Sequence, residues 1–314
     1  MEVYTNYTDM LQQCVRHGKH KAGTHSLGQT FFSFGIPEEY HGLLVFPEKR
    51  MGLTTYTSYA LAEAAWYMSR DRKIDWISDY GPIWRDMVDN EGLVNSNYGY
   101  QLYNNNDLTR KLKLNKPMYY NIINYENSQS IYDVPCNNVV VAELKDDGLH
   151  MYSLARSIDL IYGLPFDMIA LQAFGYILLQ QQNIDSYVSQ VSFEMIDTHV
   201  YDNMFEKLDM TYTSNEFAGI RFKDTDYYMH DPDYKIINYR EYAKEICKYK
   251  VDIDPVADYG ALDYFNVREE EYKYRNSYEH NNLVLHPDNR KDIKIIDDST
   301  IYYNTEGRTL IYHV

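Results

Sequence analysis

A cysteine, an arginine and several acidic side chains lie close together in the middle of this 314-residue chain. Cys136 follows a proline in the run Asp133-Val-Pro-Cys-Asn137, and Arg156 comes twenty residues later. A cysteine thiolate is a strong nucleophile, and a neighbouring guanidinium lowers the pKa of the thiol. The pair is therefore suited to attack an electron-poor ring and to hold an anionic substrate.

Three motifs follow the cysteine: Arg156-Ser-Ile-Asp159, Gly163-Leu-Pro-Phe-Asp167 and Asp197-Thr-His-Val-Tyr201. Their order, spacing and residue types resemble those of thymidylate synthases, in which Pro-Cys precedes Arg-Ser-x-Asp, Gly-x-Pro-Phe-Asn and Asp-x-His-x-Tyr. The resemblance covers residues 5 to 201 and fades beyond them. It implies an enzyme that adds a one-carbon unit from 5,10-methylenetetrahydrofolate to C5 of a pyrimidine deoxynucleotide.

Asp167 is the substitution with chemical meaning, because thymidylate synthases carry Asn at this position. In this respect the chain resembles the deoxycytidylate (dCMP) hydroxymethylases of bacteriophages with modified DNA. A protonated Asp can donate to N3 of cytosine and accept from its N4 amino group, whereas an ionised Asp leaves O4 of uracil without a donor. A mismatched buried polar partner costs several kcal/mol, or roughly a thousandfold in discrimination. Unrelated drift from Asn to Asp is the alternative.

The resemblance also assigns roles to individual residues. The catalytic residues would be Cys136, Glu63 and Asp167. Those that bind the nucleotide would be Arg156, Ser157, His199, Tyr201, Lys21, Lys116 and Tyr98. Those on the folate side would be Trp84, Asp159, Gly163 and Phe166. Glu63 has support of its own, because it lies within an apolar helical pattern and a buried glutamate needs a partner or a raised pKa. No metal is expected.

Several positions depart from the family pattern. Lys21 occupies a loop where the family has a phosphate-binding arginine, and an exposed loop lysine is the alternative reading. Lys116 stands where two arginines would reach across a dimer, and the nearby Arg110 and Lys113 are other candidates. Tyr56 replaces a lysine that touches the folate tail. Asn137 replaces the histidine that commonly follows the cysteine, and the sequence predicts no consequence for this change.

Composition narrows the class of protein. The net charge is −16 without a basic cluster, which argues against direct nucleic-acid binding. Three widely spaced cysteines suit a reducing compartment and no disulfide framework. The first residues do not resemble a signal peptide, and the apolar window from 160 to 179 contains Pro165, Asp167 and Gln172, which favours a buried helix over a membrane span. We therefore expect a cytoplasmic protein, in the host cytoplasm if it is viral.

The resemblance implies an α+β fold like that of thymidylate synthases, a large twisted mixed sheet with flanking helices. Helices are expected at 5–17, 58–68, 165–183 and 239–250, strands at 139–144, from 150 and at 187–201, and a hairpin around 304–307. Residues 1–210 would form the catalytic domain, and 211–314 an extension packed on the same domain. The resemblance implies a homodimer formed through the sheet face.

Three functions remain open at this stage. The first is dCMP hydroxymethylation, in which water completes the reaction. The second is a methyl-forming enzyme, either a thymidylate synthase or a dCMP methylase. The third is a catalytically silent nucleotide-binding or scaffold protein, which the missing arginines and the long C-terminal segment would suit.

Overall fold

The computed structural model describes residues 2–55, 60, 62–64, 66–67, 72–74, 77–79, 82–108, 110–130, 133–220, 294–297, 300–305 and 308–313. Tyr56, the helix expected at 239–250 and Cys247 within it lie outside the described residues.

The described chain contains both strands and helices. The strands are β1 (Glu2–Tyr4), β2 (Lys19–Lys21), β3 (Thr24–Gly35), β4 (Leu44–Pro47), β5 (Lys49–Arg50), β6 (Leu53–Thr54), β7 (Met118–Asn121), β8 (Asn137–Lys145), β9 (Gly148–Ala155), β10 (Ile158–Asp159), β11 (Val188–Tyr201), β12 (Phe217–Ile220), β13 (Lys294–Asp297), β14 (Thr300–Thr305) and β15 (Arg308–His313). The α-helices whose two ends are both described are α1 (Tyr7–His17), α2 (Tyr98–Asn105), α3 (Tyr125–Ser128) and α4 (Leu164–Gln181). Short 3₁₀ helices cover Glu38–Tyr40, Ile77–Asp79, Pro82–Asp86 and Asp202–Lys207.

An eight-stranded mixed sheet forms the centre of the protein. Its main path runs β1-β3-β11-β9-β8-β7, with β2 paired to β3 and β10 paired to β11. Neighbours β3–β11, β9–β8 and β8–β7 are antiparallel, whereas β1–β3, β11–β9 and β10–β11 are parallel. The predicted α+β fold with a large mixed sheet and flanking helices is confirmed.

The β8–β9 hairpin explains how residues distant in sequence meet. Its strands are joined at an Asp-Asp-Gly turn, where Gly148 has a φ of 126° that a residue with a side chain rarely adopts. Because the strands are antiparallel, Asn137 at the start of β8 pairs with Ala155 at the end of β9. The loops that carry Cys136 and Arg156 are therefore adjacent.

Helix α4 covers one side of the sheet. Its residues are mostly apolar and buried, as the three- and four-residue spacing of large side chains predicts. Gln172 is fully buried there, and its amide exchanges hydrogen bonds with the backbone N–H and carbonyl of Val45 at 2.8 and 2.7 Å. Helix α4 is thereby fixed against β4. Among the described residues, no helix is long and apolar enough to cross a membrane.

Helix α1 lies near the other end of the sheet. The side chain of Asn6 accepts a hydrogen bond from the N–H of Asp9 and caps the helix. Met10, Leu11 and Cys14 are buried on one face of this helix, so Cys14 is a core residue. All described residues between 60 and 67 are helical, in agreement with the helix expected over 58–68, although both of its ends lie outside the described range.

The chain beyond the predicted boundary at residue 210 has regular structure of its own. Strand β12 pairs antiparallel with β4. Strands β13, β14 and β15 form an antiparallel sheet, and Thr305 pairs with Arg308, so the hairpin predicted around 304–307 is confirmed. The division into domains at residue 210 remains a prediction.

Candidate active site

Arg156 holds the loop that carries the candidate nucleophile. Its Nε donates a hydrogen bond to the carbonyl of Pro135 at 3.1 Å, and Nη2 donates to the carbonyl of Val134 at 2.8 Å. The backbone N–H of Arg156 also donates to the carbonyl of Cys136 at 2.9 Å. Cys136 is a half-buried free cysteine at the bend before β8. The arginine therefore fixes the position of the thiol through the backbone.

Burial dominates the electrostatics of this thiol. It raises the pKa of Cys136 to about 11, and the charges of Asp167 and Asp133 act in the same direction. The Arg156 guanidinium opposes them and lowers this pKa. Consequently the thiol is protonated at neutral pH in the ligand-free chain, and Arg156 is the group that favours the reactive thiolate.

Asp167 lies in the first turn of α4 and is connected to the residue after the cysteine. The Nδ2 of Asn137 donates to Oδ1 of Asp167 at 3.0 Å, and the Oγ of Ser153 donates to Oδ1 of Asn137 at 2.7 Å. Burial raises the pKa of Asp167 to about 7, although the hydrogen bond from Asn137 lowers it in part. The carboxyl can thus change protonation near neutral pH.

A small cavity lies beside this network, between the sheet and helices α2 and α4. It has a volume of about 30 Å³, which exceeds what one water molecule requires. Its polar residues are Tyr67, Tyr98, Asn137, Ser153 and Asp167. The rest of the wall is apolar, from Leu102, Ile122, Val140, Ala170, Leu171, Phe174 and Phe193.

Tyr98 lies close enough to all three candidate catalytic residues for their charges to act on it. Its pKa is raised well above the ordinary value, first by burial and then by the negative charges of Asp167, Cys136 and Glu63. Its hydroxyl also forms a hydrogen bond with Asn137, and its ring stacks on Tyr67 at 4.8 Å between centroids. Glu63 is buried, with 7% of its surface exposed, as its place in an apolar helical pattern predicts.

Pairing of β10 with β11 brings together the motifs expected to hold the sugar and phosphate. Asp159 pairs with His199, and the Oγ of Ser157 lies 3.5 Å from Nδ1 of His199. The His199 ring packs edge-on against Tyr201, with 5.0 Å between centroids. Arg156, which precedes Ser157, is exposed, and beyond its two loop contacts it has further N–H groups that bond no side chain or carbonyl among the described residues. These side chains could bind a phosphorylated sugar together.

Asp159 is the candidate folate ligand with a free acceptor. Its Oδ1 accepts from the N–H of Ile161 at 2.8 Å, while Oδ2 is buried without a hydrogen-bond partner among the described residues. Burial raises its pKa, and the nearby His199 lowers it. The carbonyl of Asp159 accepts from the N–H of Gly163 at 3.0 Å, and a Cβ at Gly163 would lie 2.7 Å from that carbonyl oxygen. Gly163 thus permits the tight turn into α4.

Trp84 and Phe166 occupy different surroundings. Trp84 packs against Trp66 at 4.7 Å between ring centroids and is edge-on to Tyr67 at 6.3 Å. Its Nε1 is buried without a hydrogen-bond partner in the described structure. Phe166 is buried at the start of α4, with the Arg50 guanidinium 5.9 Å from its ring centroid. The aromatic cluster of Trp84 extends through Tyr67 toward Tyr98.

The two lysines expected to bind phosphate lie at different parts of the sheet. Lys21 is exposed at the end of β2, where it pairs with Thr24, which in turn pairs with Tyr201 on β11. Lys116 is exposed beside Asn115, whose N–H donates to the carbonyl of Leu144 near the far end of β8. At roughly 3.3 Å per residue, that point lies about 23 Å from the start of β8. Lys116 therefore does not join Cys136 within one chain.

Ser153 was not predicted from the sequence, and Asn137 was noted there without a role. A signal for Ser153 exists in the strand pattern. Side chains two residues apart share a face of a strand, and Ala155 pairs with Asn137, so Ser153 lies on the same face as the partner of Asn137. The pairing of Asn137 with Ala155, which brings Ser153 near Asn137, depends on the hairpin turn and on a register shift between Asn137 and Val139.

Comparison with known proteins places this geometry in a family. The family model described as thymidylate synthase matches residues 5–252. The chain belongs to the thymidylate synthase family. It is thus related to one-carbon transferases that use methylenetetrahydrofolate in nucleotide biosynthesis, and the match continues beyond residue 201, where the motifs end.

Individual thymidylate synthases are similar at low identity. One from Corynebacterium aurimucosum is 23% identical over 231 residues, covering 66% of this chain and 81% of that protein. One from Buchnera aphidicola subsp. Baizongia pistaciae is 24% identical over 216 residues, covering 63% and 79%. The solved structure of thermostable thymidylate synthase A from Bacillus subtilis has a TM-score of 0.50 and 16% identity, covering 67% of this chain and 84% of that one. That likeness supports the fold.

In the described part of the chain, no group of three or more His, Cys, Asp or Glu side chains is arranged to hold a metal ion.

Proposed function

We propose that the protein is a dCMP hydroxymethylase, which adds a one-carbon unit to C5 of dCMP through a covalent bond between Cys136 and C6. The observation that carries the proposal is Asp167, whose carboxyl lines the cavity, has a pKa raised to about 7 and acts through its charge on the Cys136 thiol. It stands where thymidylate synthases carry Asn. A carboxyl that is protonated near neutral pH offers a donor for N3 and an acceptor for the N4 amino group of cytosine.

Cys136 would act as the nucleophile. Its thiolate forms a bond to C6, and the electrons of the C5–C6 double bond move to C5, which becomes nucleophilic. Methylenetetrahydrofolate supplies the one-carbon unit that C5 captures. Loss of the C5 proton then expels tetrahydrofolate and leaves an exocyclic methylene group. Water adds to that carbon, and departure of the Cys136 sulfur from C6 restores the aromatic ring. The net reaction is free of redox change.

Glu63 would move the protons of this sequence, and Tyr98 would donate a hydrogen bond beside the reacting groups. Glu63 is buried, and its charge acts on Tyr98, whose pKa is raised well above its ordinary value. Tyr98 therefore stays protonated and can donate a hydrogen bond next to the thiol and Asp167. Proton transfer by groups held in this way contributes about a hundredfold or more to rates.

The remaining polar side chains would bind the two substrates. Arg156 and Ser157 would hold the phosphate, with Lys21 nearby, while His199 and Tyr201 would hold the deoxyribose 3′-hydroxyl. The residues on the folate side fit a pterin, because the buried Oδ2 of Asp159 is an acceptor without a partner among the described residues. Trp84, Gly163 and Phe166 would complete the folate side, and Lys116 would reach the phosphate of a partner subunit.

A methyl-forming reaction is the second candidate, because both relatives named above are thymidylate synthases. In that case a hydride, rather than water, would reach the exocyclic carbon. The two candidates share every step up to that point. They differ in product, which mass spectrometry of the nucleotide identifies.

Substitution of Asp167 by Asn tests which base is bound. The amide keeps the shape of the side chain but presents a fixed donor and acceptor, so Asp167→Asn should shift the preference from dCMP toward dUMP. The ratio of kcat/KM for the two nucleotides should change by about 3 kcal/mol or more, since two buried hydrogen bonds change. The wild-type protein and Asp167→Asn are each assayed with dCMP and with dUMP at one pH. A wild-type protein that prefers dUMP would refute the proposal.

A further inference from the structure

A protonated carboxyl does not by itself distinguish cytosine from uracil. Cytosine presents an acceptor at N3 and a donor at N4, and uracil presents a donor at N3 and an acceptor at O4. A carboxyl has one donor and one acceptor, and it matches either base depending on which of its two oxygens carries the proton. Asp167 can select cytosine only if its surroundings decide between Oδ1 and Oδ2.

Asn137 distinguishes the two carboxyl oxygens of Asp167 in the structure. Its Nδ2 donates to Oδ1 of Asp167 at 3.0 Å, which makes Oδ1 an acceptor. The other face of the amide is fixed by Ser153, whose hydroxyl donates to Oδ1 of Asn137 at 2.7 Å. Reversal of the amide would place its oxygen against the ionised carboxylate of Asp167, and the Ser153 hydroxyl would then have to accept from Nδ2 instead of donating to Oδ1. Both Asn137 and Ser153 are buried, with 4% and 3% of their surfaces exposed.

We propose that Asn137, oriented by Ser153, is a positioning residue that sets base specificity by assigning the proton of Asp167 to Oδ2. Oδ1 retains one lone pair for the N4 amino group of cytosine, while Oδ2–H donates to N3. Asn137 directly follows the nucleophile, so the start of β8 positions both the thiol and the side chain that orients Asp167 toward the base. This inference rests on the proposed function, because it presumes that Asp167 contacts the pyrimidine.

Other titratable groups surround Asp167 and enter any pH measurement. The charge of Asp167 acts on Tyr98 of α2 and on Cys136 in the loop before β8, and Glu63, among the helical residues between 60 and 67, acts on Tyr98. The hydrogen bond from Asn137 lowers the pKa of Asp167, in opposition to burial. Loss of a correctly oriented amide should therefore raise that pKa.

The test compares three serine variants. Ser153→Ala removes the hydroxyl that orients Asn137, and Ser153→Thr retains it, with the added methyl next to a cavity that Ser153 lines. Ser189→Ala is the matched control, since Ser189 is a buried serine whose hydroxyl has no hydrogen-bond partner among the described residues. For each variant, kcat/KM is measured with dCMP and with dUMP, and the affinity for dCMP is measured from pH 5 to 9.

Ser153→Ala should lower the dCMP-to-dUMP ratio about tenfold, the equivalent of one hydrogen bond, and should move the midpoint of the pH profile upward. Ser153→Thr and Ser189→Ala should keep the wild-type ratio and midpoint. If Ser153→Ala does not fold, Asn137→Ala should show the same two changes. An unchanged ratio in Ser153→Ala, or an equal fall in Ser189→Ala, would overturn the inference while the wild-type preference for dCMP still stood. A wild-type preference for dUMP would instead remove the proposed function.

Discussion

Among single residues, Cys136 and Arg156 have the most direct relation between position and chemistry. The guanidinium contacts two carbonyls of the loop before the cysteine and lowers the pKa of a thiol that burial has raised. Arg156 thus has two separable effects, one on the position of the thiol and one on its ionisation. A variant that keeps the charge but loses the fork of N–H groups separates them.

Alkylation of Cys136 by iodoacetamide at pH 8 should slow in Arg156→Gln, because removal of the guanidinium raises the pKa of the thiol. Each unit by which the thiol pKa rises decreases the thiolate fraction about tenfold. Arg156→Lys keeps a positive charge and should fall between wild type and Arg156→Gln. Peptide mapping by mass spectrometry confines the readout to Cys136. An Arg156→Gln variant that reacts as fast as wild type would mean that the charge of Arg156 does not activate the thiol.

Asp167→Asn should stabilise the protein more at pH 8 than at pH 6. Burial raises the pKa of Asp167 in the folded state to about 7 from an ordinary value of 3.8, so the folded state binds the proton more tightly than the unfolded chain. Its contribution to stability is therefore complete below about pH 4 and is lost as the pH rises toward 7. The amide cannot ionise and avoids this loss.

The difference in the free energy of unfolding between Asp167→Asn and wild type should grow by about 1 kcal/mol from pH 6 to pH 8. Urea denaturation measures it, with Asp185→Asn, at an exposed carboxylate after α4, as the control. A gain that is equal at both pH values would contradict the raised pKa of Asp167.

Two elements position the candidate site. The β8–β9 hairpin brings the loops of Cys136 and Arg156 together, and the start of α4 places Asp167 against Asn137. Helix α2 completes the cavity with Tyr98, and the close approach of this helix to the backbone of Tyr67 depends on Gly99. A Cβ at Gly99 would lie 1.5 Å from the carbonyl oxygen of Tyr67, so any side chain there forces the two segments apart.

Gly99→Ala should lower the free energy of unfolding by about 2 kcal/mol, as expected when a well-packed contact is overfilled. It should also weaken nucleotide binding, because Tyr98 moves with the helix. Gly35→Ala is the control, since a Cβ at Gly35 meets no atom within 4 Å. Thermal denaturation and nucleotide titration of both variants measure the effects. Equal stability of the two variants would show that α2 can shift at little cost.

The sequence predicted these elements well where the apolar pattern was regular. The helix expected at 165–183 is observed as α4, and the strand expected at 187–201 is observed as β11. Contacts that depend on register could not be read in the same way. Ser153 reaches Asn137 only because the hairpin turn aligns β8 with β9, and Trp84 meets Trp66 through packing of segments that carry no shared motif.

At the scale of the whole molecule, the distance between Lys116 and Cys136 bears on assembly. About 23 Å of strand separates them in one chain, so Lys116 could serve a phosphate site only in a second copy. A homodimer through the sheet face would supply that copy, as the family resemblance implies. Both the dimer and the role of Lys116 are proposals.

Mixed dimers test this arrangement. If Lys116 acts on the partner's site, Cys136→Ala chains should be inactive alone and Lys116→Ala chains weakly active alone. The two should recover about a quarter of wild-type activity when refolded together. Half of the mixed dimers' sites then carry neither change. Lys111→Ala, at another exposed lysine of the same segment, should match wild type. Recovery no greater than the sum of the two parents would exclude a cross-subunit role for Lys116.

Release of tritium from C5 of labelled nucleotide measures the central claim most directly, because C5 loses its proton only after Cys136 adds to C6. With methylenetetrahydrofolate, the wild-type protein should release tritium from dCMP roughly a thousandfold faster than from dUMP, the discrimination expected from a mismatched pair of buried hydrogen bonds. Cys136→Ala should release tritium from neither nucleotide. Faster release from dUMP, or release that persists in Cys136→Ala, would contradict the assignment of this site to cytosine and to Cys136.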